Sequence, residues 1–281
     1  MASVVSGELF EHVEAQRRSK EPPPCIVVRS SHTESLWLHV HVKAQSGGPP
    51  SPQMQGATIH PATAEDCAFI ARATLYAERA HLDVGIWDVF FAGEDDEAKL
   101  RCLAQCAATV EASHLHWRHF LIARSDDAGG RAMGSCSRYV APVSAEATYR
   151  GLGEVAGRLL GWSAAQQEAA SRRLGFMTDA AAWPDLPIYD GSCFLETVFT
   201  EADCRGRGVA SALVSRCIAD GQRMGAPRCF LLAAIGNDGA IRVYRKAGLA
   251  TVGQLLHAEC QSVLGVPGFD IMVVEFSRDK S

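Results

Sequence analysis

Residues 194–225 pass from an apolar run into a helix-patterned one through Arg205-Gly206-Arg207-Gly208-Val209-Ala210. Gly206 and Gly208 place no Cβ over the backbone, so an anion can rest directly on the N–H groups of residues 206–211, including that of Ser211. These groups open a helix, where backbone donors are free and the dipole is positive. Arg205 and Arg207 add charge, and a phosphate or pyrophosphate fits such a cradle. Two familiar phosphate motifs do not match. A P-loop needs a Lys after its last Gly, and a dinucleotide fingerprint needs a third Gly where Ser211 stands. Taken alone, the hexapeptide reads equally well as a tight strand-to-helix turn with solvated arginines.

Other chemistry-bearing residues give weaker patterns. His114, His116 and His119 lie close together, and His39 and His41 alternate as on one strand face. No carboxylate or Cys completes a metal-ligand spacing in either stretch, so surface or packing histidines and no metal are expected. Ten cysteines are scattered without a C-x-x-C pair. Reduced, mostly buried thiols are expected, and nothing marks Cys193 or Cys204 as a nucleophile. The acidic run Glu94-Asp95-Asp96-Glu97 suits a helix start.

Around these residues the chain reads as alternating strands and helices on a mixed sheet, an α/β or α+β class. Residues 1–55 form an extension closed by Gly47-Gly48-Pro49-Pro50-Ser51-Pro52. Within it, "CIVVRSS" and "SLWLHVHVKA" suggest two short strands that could add to a sheet as a hairpin. "ATIHPAT" predicts a strand, and Thr63 with Asp66 a capped helix running to about Ala80. A second helix is expected from about Glu94 to Ala112, then strands at "HFLIARS" and "RAMGSCSRYVAPV" joined by "DDAGG". Residues 145–190 are helix-rich, with a cap at Ser163 and Gln166 and a stop at Trp183-Pro184 and Leu186-Pro187. Strand 192–200, helix 208–224, strand 228–235, helix 238–247 and strands near 249–256 and 269–276 follow.

The chain has 281 residues, 47% hydrophobic and 21% charged, with formal net charge -5. That composition gives ample core for one large domain or two small ones. The negative balance argues against a nucleic-acid or membrane-surface partner. No run is long enough to span a bilayer, and the acidic residues near the N-terminus do not suit a signal or transit peptide. A cytoplasmic protein is expected, without a distinction from the nucleus.

Two segments together resemble the GNAT superfamily of acetyl-CoA-dependent N-acetyltransferases. A strand leads into [QR]-x-x-G-x-[GA] at a helix start, here Arg205, Gly208 and Ala210. A later strand ends near Asn237, and the short helix after it ends in Tyr244 and Gly248. The chain is also similar to a branch of that family with a helical insertion before the acetyl-CoA strand, Ile235-Gly236-Asn237, and Pro267-Gly268 near the C-terminus. The resemblance covers roughly residues 56–281 as one domain, with the insertion at about 145–190. Cys204, Ala202 and Leu249 depart from the family's usual aromatic, Pro and Phe, and none removes a group the chemistry needs.

The resemblance implies a mixed, mostly antiparallel central sheet flanked by helices, and acetyl-CoA as cosubstrate. It implies that strand 195–200 splays from its neighbour and offers main-chain groups of Val198 and Thr200 to the pantetheine arm, a form of β-augmentation. The pyrophosphate would sit on residues 206–211, that is Gly206, Arg207, Gly208, Val209, Ala210 and Ser211, beside Arg205. Asn237 would bond the cosubstrate or fix the turn, a helix N-cap being its structural alternative. Tyr244 would protonate the departing thiolate, a core aromatic being its alternative. Glu196, on the cofactor strand, is the candidate general base or else an edge carboxylate in an ion pair. The acceptor would be a primary amine attacking the thioester directly: a protein N-terminus, a lysine, a polyamine or a small metabolite. Two rivals remain at this point, a non-catalytic CoA-binding regulatory domain and a scaffold binding a partner through residues 1–55. Oligomeric state is open, a homodimer being one option.

Overall fold

The computed structural model describes residues 56–140, 145–177 and 191–276, residue 54, and the backbone of residues 26–29. Its sheet has eight strands in the order β1-β7-β8-β6-β5-β4-β3-β2. They are β1 (Ile26–Arg29), β2 (Ala57–Pro61), β3 (Phe120–Ser125), β4 (Ala132–Val140), β5 (Cys193–Thr200), β6 (Arg228–Ala234), β7 (Ala250–Leu256) and β8 (Gly268–Glu275). Only β1–β7 and β5–β6 are parallel; the other five neighbouring pairs are antiparallel. The mixed, mostly antiparallel sheet is thus present. The strand expected in "CIVVRSS" appears as β1, whose partner is β7. The second strand expected in the extension, with His39 and His41, lies outside the described residues, as do the prolines expected to stop the insertion.

Helices cover both faces. On one, α6 (Val209–Arg223) lays Leu213, Val214 and Cys217 over Leu195, Cys229 and Leu231, beside Ile241 and Tyr244 of α7 (Asp238–Lys246). On the other, five helices share a second core: α1 (Cys67–Arg79), α2 (Ile86–Phe90), α3 (Asp96–Thr109), α4 (Ala145–Leu160) and α5 (Ala164–Arg173), joined by α8 (Ala258–Leu264). Local signals explain most of the starts. Thr63 N–H donates to the Asp66 carboxylate. Asp95 accepts from Ala98 N–H, so α3 begins after the acidic pair rather than at Glu94. Ser163 and Gln166 form the expected capping box. Two short helices, α2 and α8, were not expected from the pattern. α2 is only five residues long, and α8 is capped by the His257 ring rather than by Ser, Thr, Asp or Asn.

What positions the site is the contact between β5 and β6. They pair only at Cys193–Cys229 and Phe194–Phe230, then part. Just past that point two residues of β5, Thr197 and Val198, face one residue of β4, Cys136, because the register steps from Ser137–Glu196 to Ser135–Phe199. This bulge bends and twists the strand. Thr197 pays for it with φ 50, where a β-branched residue is strained.

Candidate active site

The turn at 205–211 has the geometry an anion site needs. Gly206 (φ 75) and Gly208 (φ 81) are both left-handed, and nothing stands within 4 Å of where either Cβ would be. Gly208 is the N-cap of α6, whose first bond from outside the helix runs from Ala212 N–H to Gly208 O. The six N–H groups of residues 206–211 donate to no protein acceptor among the described residues. Arg205 and Arg207 are exposed beside them. A hollow of about 310 Å³ borders the turn at Arg207, Arg131 and Cys204, away from Glu196 and Tyr244.

The edge of β5 leads from this turn toward the interior. Glu201 N–H donates to Met133 O of β4 at 2.9 Å. Strand alternation then turns Phe199 toward β4 and the main-chain groups of Val198 and Thr200 toward the side β6 has left. Thr200 O is reached by Arg205 Nε at 3.5 Å, and its buried hydroxyl has no partner among the described residues. Open strand edge and free N–H turn are therefore continuous, and they fit a long ligand with amides at one end and phosphates at the other.

Glu196 projects from β5 on the face opposite α6. Tyr139 Oη donates to its Oε2 at 2.8 Å, and His114 Nε2 lies 3.7 Å from the same oxygen. Burial outweighs that hydrogen bond and raises the Glu196 carboxyl to about 7. About 24% of the side chain remains accessible, so it lines a cleft rather than being sealed. The ion-pair alternative is not what the fold builds, since His114 is itself pushed down to about 4 by burial and is neutral at pH 7. The neighbouring cations are engaged elsewhere. Arg138 binds Asp220 and the His119 carbonyl, and Arg79 binds Asp88 and Asp96.

Tyr244 packs in the α6 layer. Burial, with smaller contributions from Cys136 and Glu78, raises its phenol well above the ordinary value, so it stays protonated at neutral pH. No described residue hydrogen-bonds its hydroxyl. That Tyr244 senses Glu78, which belongs to the opposite layer, follows from the gap between β5 and β6. Asn237 caps α7 by accepting from Ala240 N–H at 3.2 Å, its structural alternative. The histidines 114, 116 and 119 pack near Tyr139 and one another, and His114 Nδ1 is 2.9 Å from Thr148 Oγ1. No group of three metal-ligating side chains occurs among the described residues. Cys193 is sealed against Gly221 and Cys229, and the nine described cysteines are all free and buried.

Three residues at the site were missed from sequence. Tyr139 is brought to Glu196 by register: it faces Phe194, two residues before Glu196 on the same face. His114 was singled out but as packing. Glu78 left a signal, because it continues the buried stripe Ala71, Thr74, Leu75 of α1 at helical spacing.

The family model described as "Acetyltransferase (GNAT) family" matches residues 110–249, spanning β3 to the end of the α7 turn. The chain carries a GNAT acetyltransferase domain. Its fold is similar to a solved acetyltransferase at 20% identity and TM-score 0.51, covering 78% of this chain and 100% of that one. It is likewise similar to "histone acetyltransferase HPA2 and related acetyltransferase" from Corynebacterium glutamicum. There the identity is 21%, the TM-score 0.50, and the coverage 81% of this chain and 100% of that one. No curated protein matches the chain. The GNAT domain makes the protein an acetyltransferase drawing its acyl group from acetyl-CoA. No helix of the described residues is long and apolar enough to cross a membrane.

Proposed function

We propose that this GNAT protein transfers the acetyl group of acetyl-CoA to a primary amine by direct attack, without an acetyl-enzyme intermediate. One observation carries the proposal: a carboxylate held near neutrality, Glu196, sits on the strand whose open edge runs into the free N–H turn. Residues 206–211 hold the pyrophosphate with Arg205 and Arg207 in reach, and Val198 and Thr200 pair with the pantetheine amides. Asn237 keeps the start of α7 in place through its cap, and so keeps Tyr244 at the cleft.

In this scheme Glu196 takes a proton from the amine, directly or through one water. The nitrogen attacks the thioester carbonyl, and as the C–S bond breaks Tyr244 gives its proton to the sulfur. Tyr139 steadies the Glu196 charge by donating to Oε2. No cysteine competes as nucleophile, since Cys193 lies sealed in the core. The free thiols suit a reducing cytoplasm.

The test is a pH–rate profile with an amine acceptor. For the wild type kcat/KM should rise with pH through about 7, where Glu196 loses its proton. Glu196→Gln should flatten that limb, and Tyr244→Phe should lower kcat by about 10²-fold or more. An unchanged limb in Glu196→Gln removes Glu196 as base, and full turnover in Tyr244→Phe removes Tyr244 as acid.

A further inference from the structure

Glu78 is the buried titratable group that this mechanism leaves unused. It lies in the last turn of α1, and α1 packs directly on β5. Its backbone is held by close contact: a Cβ on Gly85 would come within 2.8 Å of the Glu78 carbonyl carbon. Its carboxylate has no hydrogen bond and no ion pair with any described residue, although it is only partly accessible. The groups that sense it come from three other elements: Glu196 on β5, Tyr149 on α4 and Tyr244 on α7. Around them stand Tyr139 on β4, neutral His114 and, past the end of α1, His81 against Gly236. None supplies a fixed positive charge, and the nearest arginine in sequence, Arg79, is committed to Asp88 and Asp96.

A second, independent feature points the same way. Ser137 faces Glu196 directly across β4–β5, fully buried, and its Oγ has no partner among the described residues. Trp87 Nε1 is also without one, and the Trp87 ring packs on His114 and Tyr149. Unpaired buried polar atoms are costly unless something polar meets them. Two carboxylates without a counter-cation, ringed by aromatic faces and an unused hydroxyl, are complementary to an ammonium group on a short carbon chain.

Resting on the N-acetyltransferase proposal above, we propose that Glu78 pairs with Glu196 to take the acceptor as an alkylammonium cation, Glu78 holding the charge while Glu196 receives the proton. The ammonium R–NH3+ gives one proton to the pair and becomes R–NH2. Its lone pair forms the C–N bond, the C–S bond breaks, and the sulfur takes the Tyr244 proton. The second nitrogen proton leaves through solvent and restores the phenol. The net release is one proton per turnover. Neutral arylamines, lacking the charge, gain nothing from Glu78.

The experiment compares wild type and Glu78→Gln with propylamine, 1,4-diaminobutane and aniline as probe acceptors, following CoA release at pH 7.5. Acetyl-CoA affinity of both proteins, read by calorimetry, controls for folding and should be equal. The wild type should prefer the alkylamines. Glu78→Gln should raise their KM about tenfold or more while leaving aniline transfer within about twofold. The pH–rate limb of Glu78→Gln should also move to lower pH, because Glu196 loses a repelling neighbour. Alkylamine KM and pH limb unchanged in Glu78→Gln would overturn the role of Glu78 and leave the acetyltransferase scheme standing. Failure of the wild type to acetylate any amine, with acetyl-CoA still bound, would instead overturn the amine-acceptor proposal and this one with it.

Discussion

At the scale of residues, the site is built by withholding partners. Burial raises Glu78 to about 8 and Glu196 to about 7, with their mutual repulsion added for Glu78. A carboxyl raised in the folded state favours folding while it is protonated. That contribution is complete below the unfolded value near 4.5 and is lost as pH rises through about 7 to 8. Glu78→Gln should therefore match the wild type in stability near pH 5. At pH 8.5 it should be more stable by on the order of 2 kcal/mol, seen as a later denaturant midpoint. The same offset at both pH values would show that Glu78 is not desolvated in the native state. Glu196 and Tyr244 were legible in sequence only through a resemblance, and their neighbours were less so. Tyr139 reaches Glu196 through cross-strand register, and register depends on a bulge that no residue pattern announces. Glu78 was legible in principle, as a carboxylate on an otherwise apolar helical stripe.

At the scale of elements, the phosphate turn and the parting of β5 from β6 do different work. The turn was readable because its chemistry is local: two glycines, free N–H groups and a helix start follow one another in sequence. The parting is non-local. It needs β5 and β6 joined at two positions and no further, and that junction is clamped by α6. A Cβ on Gly221 would lie 2.5 Å from Cys229 Sγ and 2.9 Å from Cys193 Cβ, the two residues of the first pair. Gly221→Ala should push α6 off the junction, costing about 1–3 kcal/mol in stability and weakening acetyl-CoA binding together with it. Loss of stability with unchanged binding would show that the junction does not set the cleft. The short helices α2 and α8 escaped the pattern because each is brief and held by tertiary contacts. Trp87 and Phe90 of α2, for example, are fully buried against α4.

At the scale of the whole molecule, alternating strands and helices gave the class, and the order of β6, β8 and β7 beyond the parallel junction could not be read from local pattern. Opposite faces of the sheet carry the two halves of the chemistry, Tyr244 in one layer and Glu78 with Glu196 in the other, and only the gap between β5 and β6 lets them meet. That gap is also where the strand edge and the anion turn converge, so cosubstrate binding is the claim on which the rest depends. It is tested by titration calorimetry of the full chain with acetyl-CoA, beside an Ala210→Glu variant. Gly208 is a poorer control, since its φ of 81 would add backbone strain to any side chain. Glu in the first turn of α6 favours the helix, yet it sets a negative charge over the free N–H groups. The account predicts saturable binding by the wild type and its loss in a variant that is folded and no less stable. Equal binding by both proteins, or none by a folded wild type, would contradict it.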